Sequence, residues 1–362
     1  MTLRVVIVMP PVANLAHEVV LDGWPSVVQQ ATALRDHAGL EVMVACRTRL
    51  AAGIVHRNDV AYHFAASDRE LVEDVRQWRP DVVHIHGLGF TRLTIRLGRA
   101  VNANTRIVLQ HHGEPPGNPR TVLGHRLARR YVDGYLFTGA LYGQAQPFID
   151  RGMIARNAKC HEVLEAASTL PPLAPGAAAP PDLIGTPVVL WVGRLIESKD
   201  PLTAIAAFAL AARELPEAQL HLIATDRALE VPVCDAIAEL GALGKRVHLH
   251  DPVARDAMRA LYRMADIFLS TSRREGSGYA LIEAISEGCV PVATAIPSHR
   301  AIVGDLARTF PAGDVAVAAD LVVAARSIGR DAVLEHATHT LSWSAVSVQL
   351  VGAYESARQR RP

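Results

Sequence analysis

The sequence predicts an α/β protein made of two doubly wound, mainly parallel sheets, each flanked by crossover helices. Three observations support this. Short apolar runs alternate with helix-length amphipathic stretches along the whole chain. At 362 residues the chain exceeds one ordinary core and suits two domains. Near its middle, a stretch rich in proline, alanine and glycine interrupts the alternation.

In the first half, strands are expected at 4–9, 41–46, 82–86, 106–110 and 134–138, with helices between them. Pro10 and Pro11 stop the first strand, because proline supplies no ladder N–H. The first helix is expected to open near Pro25, a residue suited to an initial helical turn, with Val27, Val28, Ala31 and Leu34 on one side. Thr169 to Pro187 contains too many prolines for a helix or a ladder and reads as an extended linker. Beyond it, strands are expected at 188–193, 219–224, 246–250, 267–270 and 290–294, forming a second unit of the same kind. The final amphipathic stretch, 341–359, carries Trp343, Val346, Leu350 and Tyr354 and is expected to pack back on the first domain. The expected division is thus 1–168, linker 169–187, 188–340 and a C-terminal helix in 341–362. Two open sheets joined this way are expected to bind a ligand in the cleft between their strand ends.

Composition narrows the function. Half of the residues are apolar and a fifth charged, as in a soluble globular protein. A net charge of +1 gives no overall field for nucleic acid. Cys46, Cys160, Cys234 and Cys289 have no metal or redox spacing and read as buried thiols. No histidine or carboxylate cluster suggests a metal. The opening apolar run is too brief for a signal peptide or membrane span, so a cytoplasmic location is expected. The basic run His125, Arg126, Arg129 and Arg130 has Leu127 and Tyr131 interleaved. It reads as a solvated helix face, with peripheral membrane contact the weaker alternative.

The most informative segment is Glu275-Gly276-Ser277-Gly278-Tyr279-Ala280-Leu281-Ile282-Glu283. A glycine-rich turn leading into a helix presents backbone N–H groups and the positive dipole end to an anion. Glu283, inside an otherwise apolar helix, needs a polar partner, and sugar hydroxyls would serve. A dipole-favoured Glu275 and a solvent-facing Glu283 are the structural alternative. Arg194 and Lys199 follow the apolar run ending at Gly193; guanidinium and ammonium together suit a diphosphate, although basic residues are also common at helix starts. Lys199 is one of only three lysines. His112, before Gly113, stands at the carboxyl end of an expected strand, an active-site address. Gly23, between the first expected strand and helix, would let backbone approach a diphosphate, though no G-x-G-x-x-G fingerprint accompanies it.

Taken in order, these residues resemble the retaining glycosyltransferases of family 4, whose GT-B fold has two facing Rossmann-like domains. The segment from Glu275 to Glu283 is similar to the family's E-x7-E motif, Arg194 and Lys199 to its diphosphate-binding pair, and His112-Gly113 to its acceptor-side histidine. The segments 80–87, 310–314 and 341–346 add to the likeness. The resemblance implies a UDP-sugar or similar nucleotide-sugar donor, a hydroxyl acceptor, retention of configuration and no metal or other cofactor. It also implies that Glu275 holds the donor sugar and Glu283 the ribose. Arg194, Lys199 and the amides of Gly276, Ser277, Gly278, Tyr279 and Ala280 would hold the diphosphate, with His112 at the reacting centre. The chain departs from the family where glycine turns are usual, at Thr225-Asp226-Arg227 and His250-Asp251-Pro252, and near the first strand, where Gly23 stands alone. A sugar-nucleotide epimerase and a non-catalytic sugar-nucleotide sensor are the rival readings.

Overall fold

The computed structural model describes residues 2–12, 15–48, 52–117, 119–173, 180–306 and 308–359. The chain divides into two compact units, one of residues 1–166 with 343–362, the other of 167–342. Of the expected linker, 174–179 lies outside the described residues, as does 360–362 of the C-terminal segment.

The first unit holds strands β1 (Leu3–Met9), β2 (Leu40–Arg47), β3 (Gly53–Arg57), β4 (Val60–Ala65), β5 (Val82–His86), β6 (Arg106–Gln110), β7 (Gly134–Phe137) and β8 (Cys160–Glu162). They form one sheet in the order β3-β4-β2-β1-β5-β6-β7-β8, parallel except for the β3/β4 hairpin. Central strands covered on both faces run apolar rather than alternating, and β1 is apolar and buried from Val5 to Met9. The sequence order reverses between β1 and β5, so the crevice of this sheet opens beyond their carboxyl ends.

Two expectations here are corrected. A short helix, His17–Gly23, precedes the helix that starts at Pro25, so Gly23 closes a helix instead of lying in a phosphate-approaching loop. Val20 and Leu21 bury on one side of that helix, while Arg57 grips Glu18 and Asp22 on the other, the latter at 2.7 Å. Gly23 itself is exposed and has a negative φ. The cysteines are also not uniformly buried: Cys46 and Cys289 are, Cys160 is half-buried and Cys234 is exposed on a helix surface.

The helix Trp343–Arg358 belongs to the first unit and buries Val346, Leu350 and Tyr354. Lys159 Nζ donates to the Ser356 carbonyl near its end, and Gln349 Oε1 accepts from the Leu164 N–H at 2.9 Å.

The second unit holds β9 (Val188–Gly193), β10 (Gln219–Ala224), β11 (Val247–His250), β12 (Ile267–Ser270), β13 (Val290–Thr294) and β14 (Thr309–Phe310). They are ordered β11-β10-β9-β12-β13-β14, all parallel, with the reversal between β9 and β12. Among the described residues no helix is long and apolar enough to cross a membrane.

Candidate functional site

In the second unit the predicted residues gather at the point where strand order reverses. The loop after β9 carries Arg194 and Lys199, and the loop after β12 carries Glu275. These loops are tied together. The Arg273 N–H donates to the Ser198 carbonyl at 2.9 Å, and Thr271 Oγ1 donates toward the Lys199 and Asp200 carbonyls at 3.0 and 2.7 Å. Asp200 sits in the left-handed region at φ 49°. Its carboxylate accepts from the Thr203 N–H, capping the helix Pro201–Ala211, and also pairs with Arg273 at 2.7 Å. Lys199 is thereby held at a rigid loop end.

Lys199 Nζ and Glu275 Oε1 form an ion pair, and Ser272 Oγ donates to the same carboxylate oxygen at 2.7 Å. Both side chains are mostly buried, so each charge depends on the other for compensation. Gly278, at φ 101°, caps the helix Tyr279–Ser286. This left-handed conformation suits glycine and turns the helix start toward the pair. Lys199, Glu275, Gly278 and Ala280 line one small cavity together with Ser272 and His299. Ser277 is buried close by in sequence, and its Oγ has no hydrogen-bond partner.

The other predicted groups are placed differently. The Arg194 side chain is exposed and does not line that cavity. Tyr279 is also exposed. Glu283 lies inside the helix, only 6 % accessible, with one carboxylate oxygen 3.1 Å from an Arg255 guanidinium nitrogen and the other accepting from Tyr262 Oη at 3.2 Å. Burial pushes its carboxyl above the ordinary range, and Arg255 and Tyr262 oppose that shift. Arg255 also donates to Thr169 Oγ1. At the usual glycine positions, Arg227 instead pairs with Glu230 and Asp251. A cavity of about 450 Å³ lies elsewhere, at the amino ends of β9, β12 and β13 beside Pro187, Ile267 and Val290.

In the first unit, His112 follows β6 immediately before Gly113, whose φ is +85°. Glu114 braces the strand ends by accepting from the backbone N–H groups of Leu88, after β5, and His112, after β6, at 2.8 and 2.7 Å. His112 Nδ1 is 2.8 Å from Oε1 of the buried Glu165, and its Nε2 has no hydrogen-bond partner. The His86 ring stacks on His112 with centroids 4.9 Å apart, and His84 lies 4.5 Å beyond His86. His84 Nδ1 in turn meets Tyr354 Oη at 2.8 Å. Burial drives His84 down to about 3 and His86 well below the ordinary histidine value. For His112 burial acts in the same direction, but the hydrogen bond and charge of Glu165, with the charge of Glu114, outweigh it and leave its pKa raised. A proton entering this row therefore settles on His112.

Residues 186–327 match the family described as glycosyl transferases group 1. That match lies wholly within the second unit. Among curated proteins, the chain is 34 % identical over 112 residues to the GDP-mannose:cellobiosyl-diphosphopolyprenol alpha-mannosyltransferase of Xanthomonas oryzae pv. oryzae. That match covers 30 % of the chain and 29 % of the relative. It is 28 % identical over 190 residues to the D-inositol 3-phosphate glycosyltransferase of Xylanimonas cellulosilytica, covering 49 % of the chain and 44 % of the relative. The match thus spans less than half of either relative. The fold likeness extends over nearly the whole chain. Apo OtsA superposes with a TM-score of 0.70 at 12 % identity, over 99 % of this chain and 100 % of OtsA. Sucrose-phosphate synthase from Thermosynechococcus elongatus gives 0.67 at 16 % identity, over 98 % of each chain. The fold is GT-B, as the sequence implied.

Sequence reasoning missed Glu165, Ser272, Arg255, Tyr262 and His299. One signal was readable: Pro297 opens a helix directly after β13, which places His299 near a strand's carboxyl end.

Proposed function

We propose that this chain transfers a hexose from a nucleoside-diphosphate sugar, a UDP-sugar in the first instance, to a hydroxyl acceptor, with retention of configuration and without a metal. The supporting observation is the Lys199–Glu275 pair beside the Gly278 helix start at the strand-order reversal. On donor binding, Lys199 exchanges its carboxylate partner for the diphosphate, and the released Glu275 accepts from the sugar's hydroxyls. Arg194 closes on the diphosphate from solvent, and the helix start adds fixed positive potential where the leaving group gains charge. Glu283 exchanges Arg255 or Tyr262 for the ribose diol. The acceptor hydroxyl attacks the anomeric carbon on the face that the diphosphate leaves, so the configuration is kept. The acceptor proton passes to the departing phosphate oxygen. His112, whose Nε2 has no hydrogen-bond partner, is the catalytic group of the first unit in this reading.

The test is incubation of the chain with UDP-glucose, UDP-N-acetylglucosamine or GDP-mannose and a panel of hydroxyl acceptors. Glycosylated product and nucleoside diphosphate are followed by mass spectrometry, and the anomeric configuration by NMR. Sugar transfer with retention is expected. Isomerised donor without acceptor would replace the reading with an epimerase, and donor binding with no turnover would replace it with a sensor.

A further inference from the structure

His299 is fully buried in the helix Pro297–Val303, which follows β13, and it lines the cavity shared by Lys199, Glu275 and Gly278. Its protonation pattern follows from its neighbours. Thr294 Oγ1 donates its only proton to the Ser272 carbonyl at 2.5 Å. Toward His299 Nδ1, 3.0 Å away, that oxygen can therefore only accept. The second neighbour of Nδ1 is the Thr294 carbonyl at 3.2 Å, which also only accepts. Both contacts assign the ring proton to Nδ1 and leave Nε2 with a bare lone pair. Burial lowers the His299 pKa to about 4; Glu275 opposes this and Lys199 reinforces it, so the ring is neutral near neutral pH.

Nε2 has no hydrogen-bond partner. A Cβ placed on Gly278 would lie 3.4 Å from it, so this ring edge faces the helix start and not the protein interior beyond. The cavity there is about 10 Å³, the room of a single oxygen atom. A bare nitrogen in such a space repels a phosphate oxygen, which also only accepts, and welcomes an O–H. A buried polar atom left unmatched is costly, so a group that satisfies it is selected against isosteres that do not.

We propose that His299 is a specificity-determining residue for the transferred sugar, its Nε2 accepting a hydrogen bond from one hydroxyl of the donor hexose. The inference rests on the donor reading above and sharpens it: the small space at His299 Nε2 takes a sugar hydroxyl, while Lys199 turns to the diphosphate. Donors lacking a hydroxyl at the contacted carbon are rejected by the site.

Calorimetry on the full chain tests this. UDP, UDP-glucose, GDP and GDP-mannose are titrated first. The 2-, 3-, 4- and 6-deoxyfluoro analogues of the sugar nucleotide that binds then follow, since fluorine occupies the position of a hydroxyl without donating a proton. The wild-type chain is expected to lose about tenfold in affinity for one of the four analogues, the scale of one neutral hydrogen bond. In His299→Phe the parent and that analogue are expected to bind equally. Thr294→Val, which releases the ring tautomer, should also narrow the gap and serves if the phenylalanine variant does not fold. Equal binding of all analogues by the wild-type chain, or a gap that persists in the variants, overturns the inference and makes the cavity a buried-water site. If none of the four nucleotides binds, the donor reading itself fails and the inference with it.

Discussion

The two units place their candidate groups at corresponding addresses, beyond the carboxyl ends of central parallel strands, but they handle charge differently. In the first unit it resides in titratable rings: His84, His86 and His112 stand in a row, and Glu165 decides which one takes a proton. In the second it resides in the fixed Lys199–Glu275 pair, while His299 is held neutral. Permanent charge suits stabilisation of a leaving diphosphate. A protonatable imidazole suits a centre where a hydroxyl must be oriented or lose its proton.

The comparison can be broken most sharply in the second unit. Lys199→Ala should lower the turnover of sugar transfer by about 10²–10³-fold, or about 3 kcal/mol, in steady-state rates measured with saturating donor. An unchanged turnover would remove the fixed-charge side of the contrast. Gly278→Ala should cost about 1–2 kcal/mol in chemical denaturation, because φ 101° disfavours any side chain and the new Cβ would crowd His299 at 3.3 Å.

In the first unit, Glu165→Gln removes the charge that holds the His112 proton. NMR titration of the imidazole signals should then show the His112 pKa falling below its wild-type value, since burial alone lowers it. A KM-neutral shift of the basic or acidic limb of the rate profile should accompany it; an unmoved His112 titration would mean that Glu165 does not govern the row.

The smallest effect is on stability against pH. His84, His86 and His299 have depressed folded pKa values, two of them about 3 and 4. The unfolded chain therefore binds more protons as pH falls below about 6.5, and the stability present above that value is progressively lost toward pH 4. His112 acts oppositely: its folded pKa is raised, so its contribution is present below about 6.5 and disappears as pH rises through the folded value. His63, His111, His125, His161, His221, His248 and His250 are depressed by burial as well, so ten rings against one predict a lower urea midpoint at pH 5 than at pH 7. A midpoint that did not fall would show that the buried rings accept protons without opening the fold.

All ten strands expected from apolar runs are present, because a strand covered on both faces must be apolar throughout. The hairpin β3/β4 was not legible. β3 and β4 show neither a continuous apolar run nor a clean alternation, and their turn is Asn58-Asp59, both at positive φ, without the glycine that usually announces such a turn. β8 and β14, of three and two residues, are too short to carry a pattern. At the site, Glu283 was visible as a charge inside an apolar helix, Glu275 by its glycine-rich turn, and Lys199 as a rare lysine following an apolar run. Glu165 and His299 acquire meaning only from the fold, which brings Glu165 to a partner 53 residues away and encloses His299 beside Lys199.

The helix Trp343–Arg358 makes the first unit discontinuous along the chain, with the whole second unit inserted before its last element. During synthesis, residues 167–342 leave the ribosome before that element does. The whole second sheet therefore emerges while the first still lacks Tyr354, and the hydroxyl that meets His84 follows it.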